Sequence, residues 1–511
     1  MPQQMLKTSI KPNLTTMKNS IAALAALLHC FCAPIGAQKN ADTNWVGGFK
    51  EYPQMAGYSN YVVRFQPEGV SVDTLDLGLQ IESTSASISD SSGQLLFFSN
   101  GCSIADANGQ IFDNGDGLNP GPMHDWVCGK AGYVVQKGAL ILPLPEATDR
   151  YYLFHLGAAY ETPTVLSLGP LYYTIVDGAS KKVLSKNNVL LEGKLEPFSV
   201  VRHGNGRDWW VLVPEWGTGK VITFLFGADG IAATGAQETG IPIGGKRVGA
   251  TAFSTSGDKY ARYHADRGVF IADFDRCSGL LEGGRMVPVP FPLLLGGGVA
   301  FSPNGQKLYV TSQSVVYEID ADTPKPSWDT LLYLFDNYNW GTTLHHMQYG
   351  PNGILYINTH SRADYLNAIS FNGAVPFFKF KSLNLGVKNA RTLPHFPNFR
   401  LYDLPDSPCD TLGINTPVST AEPIAAAKPE RLVLFPNPAS DQLQIGIPES
   451  WSGPLQVMVL NTAGQVLLTE NKEAANGSVS LNLRPLPAGM YVCRVMTEGR
   501  IPLAKMFAII R

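Results

Sequence analysis

The chain has 511 residues, 44% of them hydrophobic and 10% aromatic, enough apolar material for two or three domains with a sizeable core. Only 16% are charged and the formal net charge is −3, without clustered Lys and Arg, which argues against a nucleic-acid or anionic-membrane footprint. The 51 Gly and 36 Pro are spread along the chain and imply many turns and many strands.

The first element is an export signal. Met17-Lys18-Asn19-Ser20 leads into an apolar stretch from Ile21 to Cys32, followed by Pro34-Ile35-Gly36-Ala37-Gln38. A charged start, a short apolar core and a small residue before a cut after Ala37 make residues 1–37 a signal peptide, with Met17 as the alternative true start. A membrane span needs about twenty apolar residues, and no stretch of the chain offers one. His29 and Phe31 precede Cys30 and Cys32 where lipid attachment needs a small residue.

From Asp42 to Asp410 the chain repeats a turn followed by an aromatic-rich strand: ISDSSGQLLFFSNG at Ile88, LPEATDRYYLFHLG at Leu144, VRHGNGRDWWVLVPEWG at Val201, FSTSGDKYARYHADRG at Phe253, FSPNGQKLYVTSQ at Phe301 and YGPNGILYINTHSR at Tyr349. The turn residues Gly93, Asp149, Gly206, Gly257, Gly305 and Gly353 follow one another at a period near fifty, the mark of a β-propeller. Six units are visible. A seventh is expected to be composite, with Tyr61 to Leu77 pairing with His395 to Leu404, so the fold reads as a six- or seven-bladed propeller. These units resemble bacterial surface propellers with SPNG-type turns. The Ile88 to Leu118 segment is similar to exported proteins with an ISD-x-x-G-x-LLF-x-x-NG segment, a resemblance that implies no known activity.

In a propeller the second strand of each blade ends beside the mouth of the central channel. Asn100, His155, Glu215, His264, Gln313 and His360 hold that position, with Trp216 next to Glu215. Three His and a Glu are suited to metal ligation or to general acid and base chemistry, and an exposed aromatic beside polar donors suits a sugar or peptide. The plainer reading is that strand ends carry polar residues to meet water. His345-His346 is a second candidate, of which alternation lets one side chain reach the channel. His124 with Asp125, and His203, read as loop residues.

The excursion Asp106-Ala107-Asn108-Gly109 and Asp113-Asn114-Gly115-Asp116-Gly117 has calcium-loop composition but lacks the EF-hand glutamate; two successive turns are the default reading, and calcium is the one cofactor considered. Trp209 and Trp210 alternate on a strand, one expected in the core and the other partly exposed; Trp126 and Trp340 fall in Gly-rich loops. There is no G-x-S-x-G, H-E-x-x-H or G-x-x-x-x-G-K-[ST] motif. Of the cysteines left after signal removal, Cys102 and Cys128 are expected to pair across the Gly- and Asp-rich excursion. Cys277 with Cys409 is a further pairing, Cys493 is expected to be a buried thiol, and none has metal-ligand spacing.

Residues 411–430, rich in Pro, Ala and Thr, form a linker. Beyond it, residues 431–511 show about seven short Val-, Leu- and Ile-rich runs between turns, the pattern of a small immunoglobulin-like β-sandwich. The Phe435-Pro436-Asn437-Pro438-Ala439 opening, the turn at Gly464, the Leu486-Pro487-Ala488-Gly489-Met490-Tyr491 run and Lys505 before a closing apolar strand resemble the type A C-terminal sorting domain of type IX secretion. An adhesion module of the same fold is the alternative. The resemblance implies delivery by the type IX machinery to the cell surface or medium and removal of the tail near the linker. The sequence as a whole thus reads as an exported all-β protein, a propeller followed by a sandwich, that binds an extracellular protein or glycan. The alternative is a polysaccharide lyase or hydrolase with a His and Glu site at the propeller mouth.

Overall fold

A computed structural model describes residues 40–49, 57–162, 165–242, 249–289, 297–313, 315–323, 328–333, 343–360, 363–371, 376–389, 391–412, 432–447, 451, 453–461, 465–473, 477–497 and 503–510. The segment expected to be a signal peptide, most of the expected linker, Trp340 and Gly464 lie outside the described residues.

Residues 44–389 form seven antiparallel sheets in chain order. The first two have three strands: β1 (Asn44–Gly48), β2 (Asn60–Gln66) and β3 (Gly69–Leu75), then β4 (Ala86–Ser89), β5 (Leu95–Ser99) and β6 (Ile104–Asp106). A short helix, α1 (Pro122–Val127), precedes the third sheet: β7 (Ala139–Pro143), β8 (Arg150–Thr162), β9 (Val165–Asp177) and β10 (Lys182–Leu191). The fourth holds β11 (Ser199–Arg202), β12 (Trp209–Pro214), β13 (Lys220–Gly227) and β14 (Gly230–Glu238), and the fifth β15 (Ala250–Phe253), β16 (Lys259–His264), β17 (Gly268–Asp275) and β18 (Leu280–Val287). The sixth holds β19 (Val299–Phe301), β20 (Lys307–Ser312), β21 (Val315–Asp320) and β22 (Trp328–Tyr333), and the seventh β23 (Leu344–Tyr349), β24 (Leu355–Thr359), β25 (Ala363–Ser370) and β26 (Phe377–Asn389).

Local chemistry explains the hairpins. At the turn between first and second strands, Gly93, Asp149, Gly206, Gly257, Gly305 and Gly353 all have positive φ, the left-handed region that Gly enters freely and Asp tolerates. Side chains reinforce the turns: Asp90 Oδ1 accepts from the amides of Ser92 and Gln94. First strands such as β4 and β11 are buried throughout, whereas the fourth strand β14 is mostly exposed. Each sheet therefore has an inner and an outer edge. Inner strands adjoin from sheet to sheet, β15 against β11 and β19, and β19 against β23, and the last strand β26 lies against the first sheet.

The unit expected to be composite, here the first sheet, is not. Strands β1 to β3 pair with one another and draw only on residues 44–75. The segment expected to join them instead runs along the centre of the molecule. Thr392 Oγ1 donates to the carbonyl of Ile81, His395 Nδ1 to that of Lys137, and Asn398 Nδ2 to that of Thr255. Phe396 stacks on Trp45 and Phe399 meets the edge of Trp209. Pro394 and Pro397 have no N–H to give a ladder, so this axial segment, residues 391–404, is held by side chains and packing between backbone hydrogen bonds at its two ends, from Arg391 to Glu82 and from Leu404 to Gly204. Trp209 and Trp210 are also both buried, because β12 is covered on both faces; Trp209 packs under the Arg202 guanidinium and Trp210 Nε1 donates to the Arg276 carbonyl.

The C-terminal unit contains β27 (Val433–Phe435), β28 (Gln442–Gly446), β29 (Pro454–Asn461), β30 (Val466–Glu473), β31 (Ser478–Asn482), β32 (Gly489–Thr497) and β33 (Leu503–Ile509) in two sheets, β27-β28-β31 and β30-β29-β32-β33. Alternating Leu443, Ile445, Val457, Val459, Cys493 and Val495 form its own core. Tyr491 packs on Phe507 and donates its hydroxyl to the Pro487 carbonyl at 2.8 Å, and Asn437 Oδ1 accepts from the Ala508 amide. Lys505 is exposed. Disulfides join Cys102 to Cys128 and Cys277 to Cys409; Cys493 is a buried free thiol.

Candidate ligand-binding cavity

The antiparallel pairing puts Asn100, Glu215, His264, Gln313 and His360 at or just past the ends of second strands, on the side of the sheets opposite the first hairpin turns. His155 lies inside the longer strand β8, level with Ala139 at the start of β7. Their side chains do not converge on one point. Asn100 folds into its own turn, accepting from the amides of Cys102 and Ser103 and donating to the Gln80 carbonyl. Both ring nitrogens of fully buried His155 are engaged, by Asn119 at 2.8 Å and Thr174 at 2.9 Å, and burial lowers its pKa to about 3. His264 is buried with Nδ1 3.8 Å from the Asp266 carboxylate. Glu215 is half-buried and accepts from Thr218, Gln313 is half-buried, and Trp216 is exposed with Lys194 Nζ 5.4 Å from its ring.

His360 belongs to a histidine cluster. Its ring lies 5.1 Å from that of His345, which lies 4.4 Å from that of His346. A register shift in β23 between Leu344 and Met347 breaks the alternation that would have sent His345 and His346 to opposite faces. Both are buried, and burial drives the His345 pKa well below its usual value and that of His346 to about 3.

Next to this cluster the centre of the molecule contains a cavity of about 330 Å³. It is walled by the inner strands β11, β15, β19 and β23 on one side and by His395 to Arg400 of the axial segment on the other, and it reaches the first hairpin turns at Thr255, Pro303 and Gly353. Val201, Phe301, Met347 and Phe396 supply apolar wall, and Ser199, Thr251, Ser254 and Asn398 supply polar groups. At one end Lys137, Thr251 and His395 line both this cavity and a small recess that also touches His346. Lys137 donates from Nζ to the Met347 carbonyl and, at 3.4 Å, to Gln348 Oε1. Burial lowers the Lys137 pKa to about 7 and the His395 pKa to about 3.

Lys137 and His395 were not legible as site residues. The available signal was a lone Gln136-Lys137 pair breaking an apolar run before the third sheet. The calcium-like excursion is a pair of turns in which Asp106 accepts from the amides of Asn108 and Gln110 and pairs with Lys181, while Asp113 pairs with Lys182. Among the described residues the one tight His, Cys and carboxylate group is Cys102, His124 and Cys128, and its sulfurs form a disulfide. Nor is any described helix long and apolar enough to cross a membrane.

Residues 433–509 match the secretion system C-terminal sorting domain family. That domain marks proteins that are secreted or attached to the cell surface, and it assigns this chain to type IX secretion and its machinery. No curated protein matches the chain. Among solved structures, it is similar to a candidate 6-phosphogluconolactonase from Bacteroides uniformis, at 14% identity and a TM-score of 0.40, covering 68% of this chain and 98% of that one. A functionally unknown protein from Desulfotomaculum acetoxidans aligns at 11% identity and a TM-score of 0.36 over 63% of this chain and 92% of that one. A candidate 6-phosphogluconolactonase from Bacteroides fragilis aligns at 12% identity and 0.35, over 68% and 97%.

Proposed function

We propose that the seven sheets are the blades of a seven-bladed β-propeller, and that this exported propeller binds an extracellular protein or glycan in its central cavity. The observation that carries the reading is the cavity of about 330 Å³ between the inner strands and the axial segment. Apolar walls with a few convergent polar groups are the usual form of a ligand pocket. Its size suits an end group, one sugar unit or one side chain, rather than a flat surface. Glu215, Trp216 and Gln313 supply a second, shallower contact face at the other rim, while the buried Asn100, His155 and His264 hold the loops beneath it.

The test is a screen of the protein against arrayed glycans and envelope proteins beside a Thr255→Trp variant. Thr255 sits at the rim of the cavity, where an indole would cover the opening without entering the core. The expected result is a binder whose affinity falls at least tenfold in the variant. A binder indifferent to Thr255→Trp, or an empty screen, would overturn the cavity as the site.

A further inference from the structure

We infer that the cavity is built for a ligand ending in a carboxylate, an acidic sugar of the uronate type, with its charge held where Lys137 and His346 meet the small recess. The inference rests on the reading of the cavity as a ligand site and specifies what enters it.

Lys137 is the central observation. Its ammonium has three donors, and the two acceptors it meets, the Met347 carbonyl and Gln348 Oε1, are uncharged. Lys137 is half-buried, and among the described residues no carboxylate pairs with it, although an ammonium drawn out of water without a counter-charge is disfavoured. The neighbouring acids are committed elsewhere: Asp42 holds Arg400 through two hydrogen bonds, and Glu196 lies 3.6 Å from Arg262. Lys137 also has φ of 51°, in the left-handed region that a non-glycine side chain disfavours. Two unfavourable features at one residue are what a functional constraint produces.

The surroundings complete the site. His346 Nδ1 is buried without a hydrogen-bond partner, and its ring lines the recess that Lys137 and His395 also line. A carboxylate placing one oxygen in that recess, which has the volume of about one water, would accept from Lys137 and from the Nδ1–H of neutral His346, and would favour the charged form of the lysine. Beyond the recess the cavity is lined by Ser199 of β11, whose hydroxyl donates to Thr251, and by Ser254 at the first hairpin turn, with Phe396 and Asn398 on the axial wall. Hydroxyl partners on one wall and an aromatic on the other match a sugar ring better than the aliphatic stem of an acidic amino acid.

The experiment titrates the full chain with glucuronate, with neutral glucuronamide, with inorganic phosphate and with N-acetylglutamate, by calorimetry and by melting temperature. Glucuronate is expected to bind at least tenfold more tightly than glucuronamide, and Lys137→Met to abolish that preference. Because this variant also loses two hydrogen bonds, the unaltered protein gives an independent measurement: its melting temperature should rise with glucuronate and not with glucuronamide. Equal responses to the two sugars, or a preference that survives Lys137→Met, overturn the carboxylate assignment and leave the cavity reading standing. Phosphate or N-acetylglutamate matching glucuronate overturns the sugar assignment. Silence from all four probes overturns the inference, whereas the cavity reading fails only on the Thr255→Trp screen.

Discussion

The guanidinium of Arg400 donates two hydrogen bonds to the carboxylate of Asp42, at 2.9 and 2.6 Å, and thereby ties the end of the axial segment to the start of the first sheet, 358 residues away in sequence. Asp42 is almost completely buried, while Arg400 is about a third exposed. Removing the arginine strands a buried carboxylate, whereas removing both charges does not. Arg400→Met is therefore expected to cost about 2 kcal/mol, reduced from the fully buried case by the arginine's exposure. The double variant Asp42→Asn with Arg400→Met should recover part of that loss. Urea unfolding of the two variants measures both quantities, and equal losses would show that the pair does not act as a unit.

What the sequence made legible follows from where the determining forces lie. Gly93, Gly206, Gly257, Gly305 and Gly353 announce hairpins because a positive φ is a local requirement that few residues meet. The alternating strands of the C-terminal sandwich were legible for the same reason, since burial there follows a period of two. The centre of the molecule has no such local rule. The axial segment contains two prolines and no periodic pattern, and its place depends on partners such as Asp42, Lys137 and Thr255, far away in the chain. His155 was expected at a strand end beside the mouth, but β8 runs on past it to Thr162, and Asn119 and Thr174 close around its ring. The bulge that gathers His345 and His346 leaves no mark in the residue types.

The two disulfides should differ in what they contribute. Cys277–Cys409 spans 132 residues and Cys102–Cys128 spans 26. Loop-closure entropy scales with the logarithm of that span, giving about 5 and about 3.5 kcal/mol as chain-entropy values, with typical measured contributions of about 2–4 kcal/mol. Cys277→Ser with Cys409→Ser is thus expected to lower stability more than Cys102→Ser with Cys128→Ser. The long bridge also anchors the chain just after the axial segment, so its loss should increase proteolysis near Leu404. Unfolding midpoints and limited proteolysis of the two double variants decide the order.

Stability should depend on pH through the buried central groups. Burial lowers His155, His346 and His395 from 6.5 to about 3, so between those values the unfolded chain binds more protons than the folded one. Stability from these groups is present above 6.5 and is lost as the pH falls toward 3. Glu196 acts in the opposite sense. Burial raises it from 4.5 to about 7, outweighing Arg262 at 3.6 Å, so its contribution declines as pH rises through that window. Three histidines against one glutamate predict a melting temperature that climbs from pH 4 to 6.5 and climbs more steeply in Glu196→Gln. Lys137, lowered from 10.5 to about 7, adds a further rise between those values that Lys137→Met should remove. Calorimetric melting across the pH range measures all three slopes, and a flat acid limb would show that the histidines are hydrated.

The sorting domain offers the cleanest separation of delivery from stability. Its buried residues form a cluster of their own, distinct from the clusters of the seven sheets. Deleting residues 431–511 should therefore remove a self-contained unit and leave the thermal transition of the remainder in place. Type IX recognition of the tail predicts that the truncated protein accumulates in the periplasm, while the full chain reaches the surface or the medium. A milder variant tests whether recognition needs the folded sandwich: Tyr491→Phe loses the 2.8 Å hydrogen bond to Pro487 and should cost about 1 kcal/mol without unfolding the unit. Its export is expected to persist. Cell fractionation reads both variants on one blot, and surface delivery of the truncated chain would break the link between this domain and export.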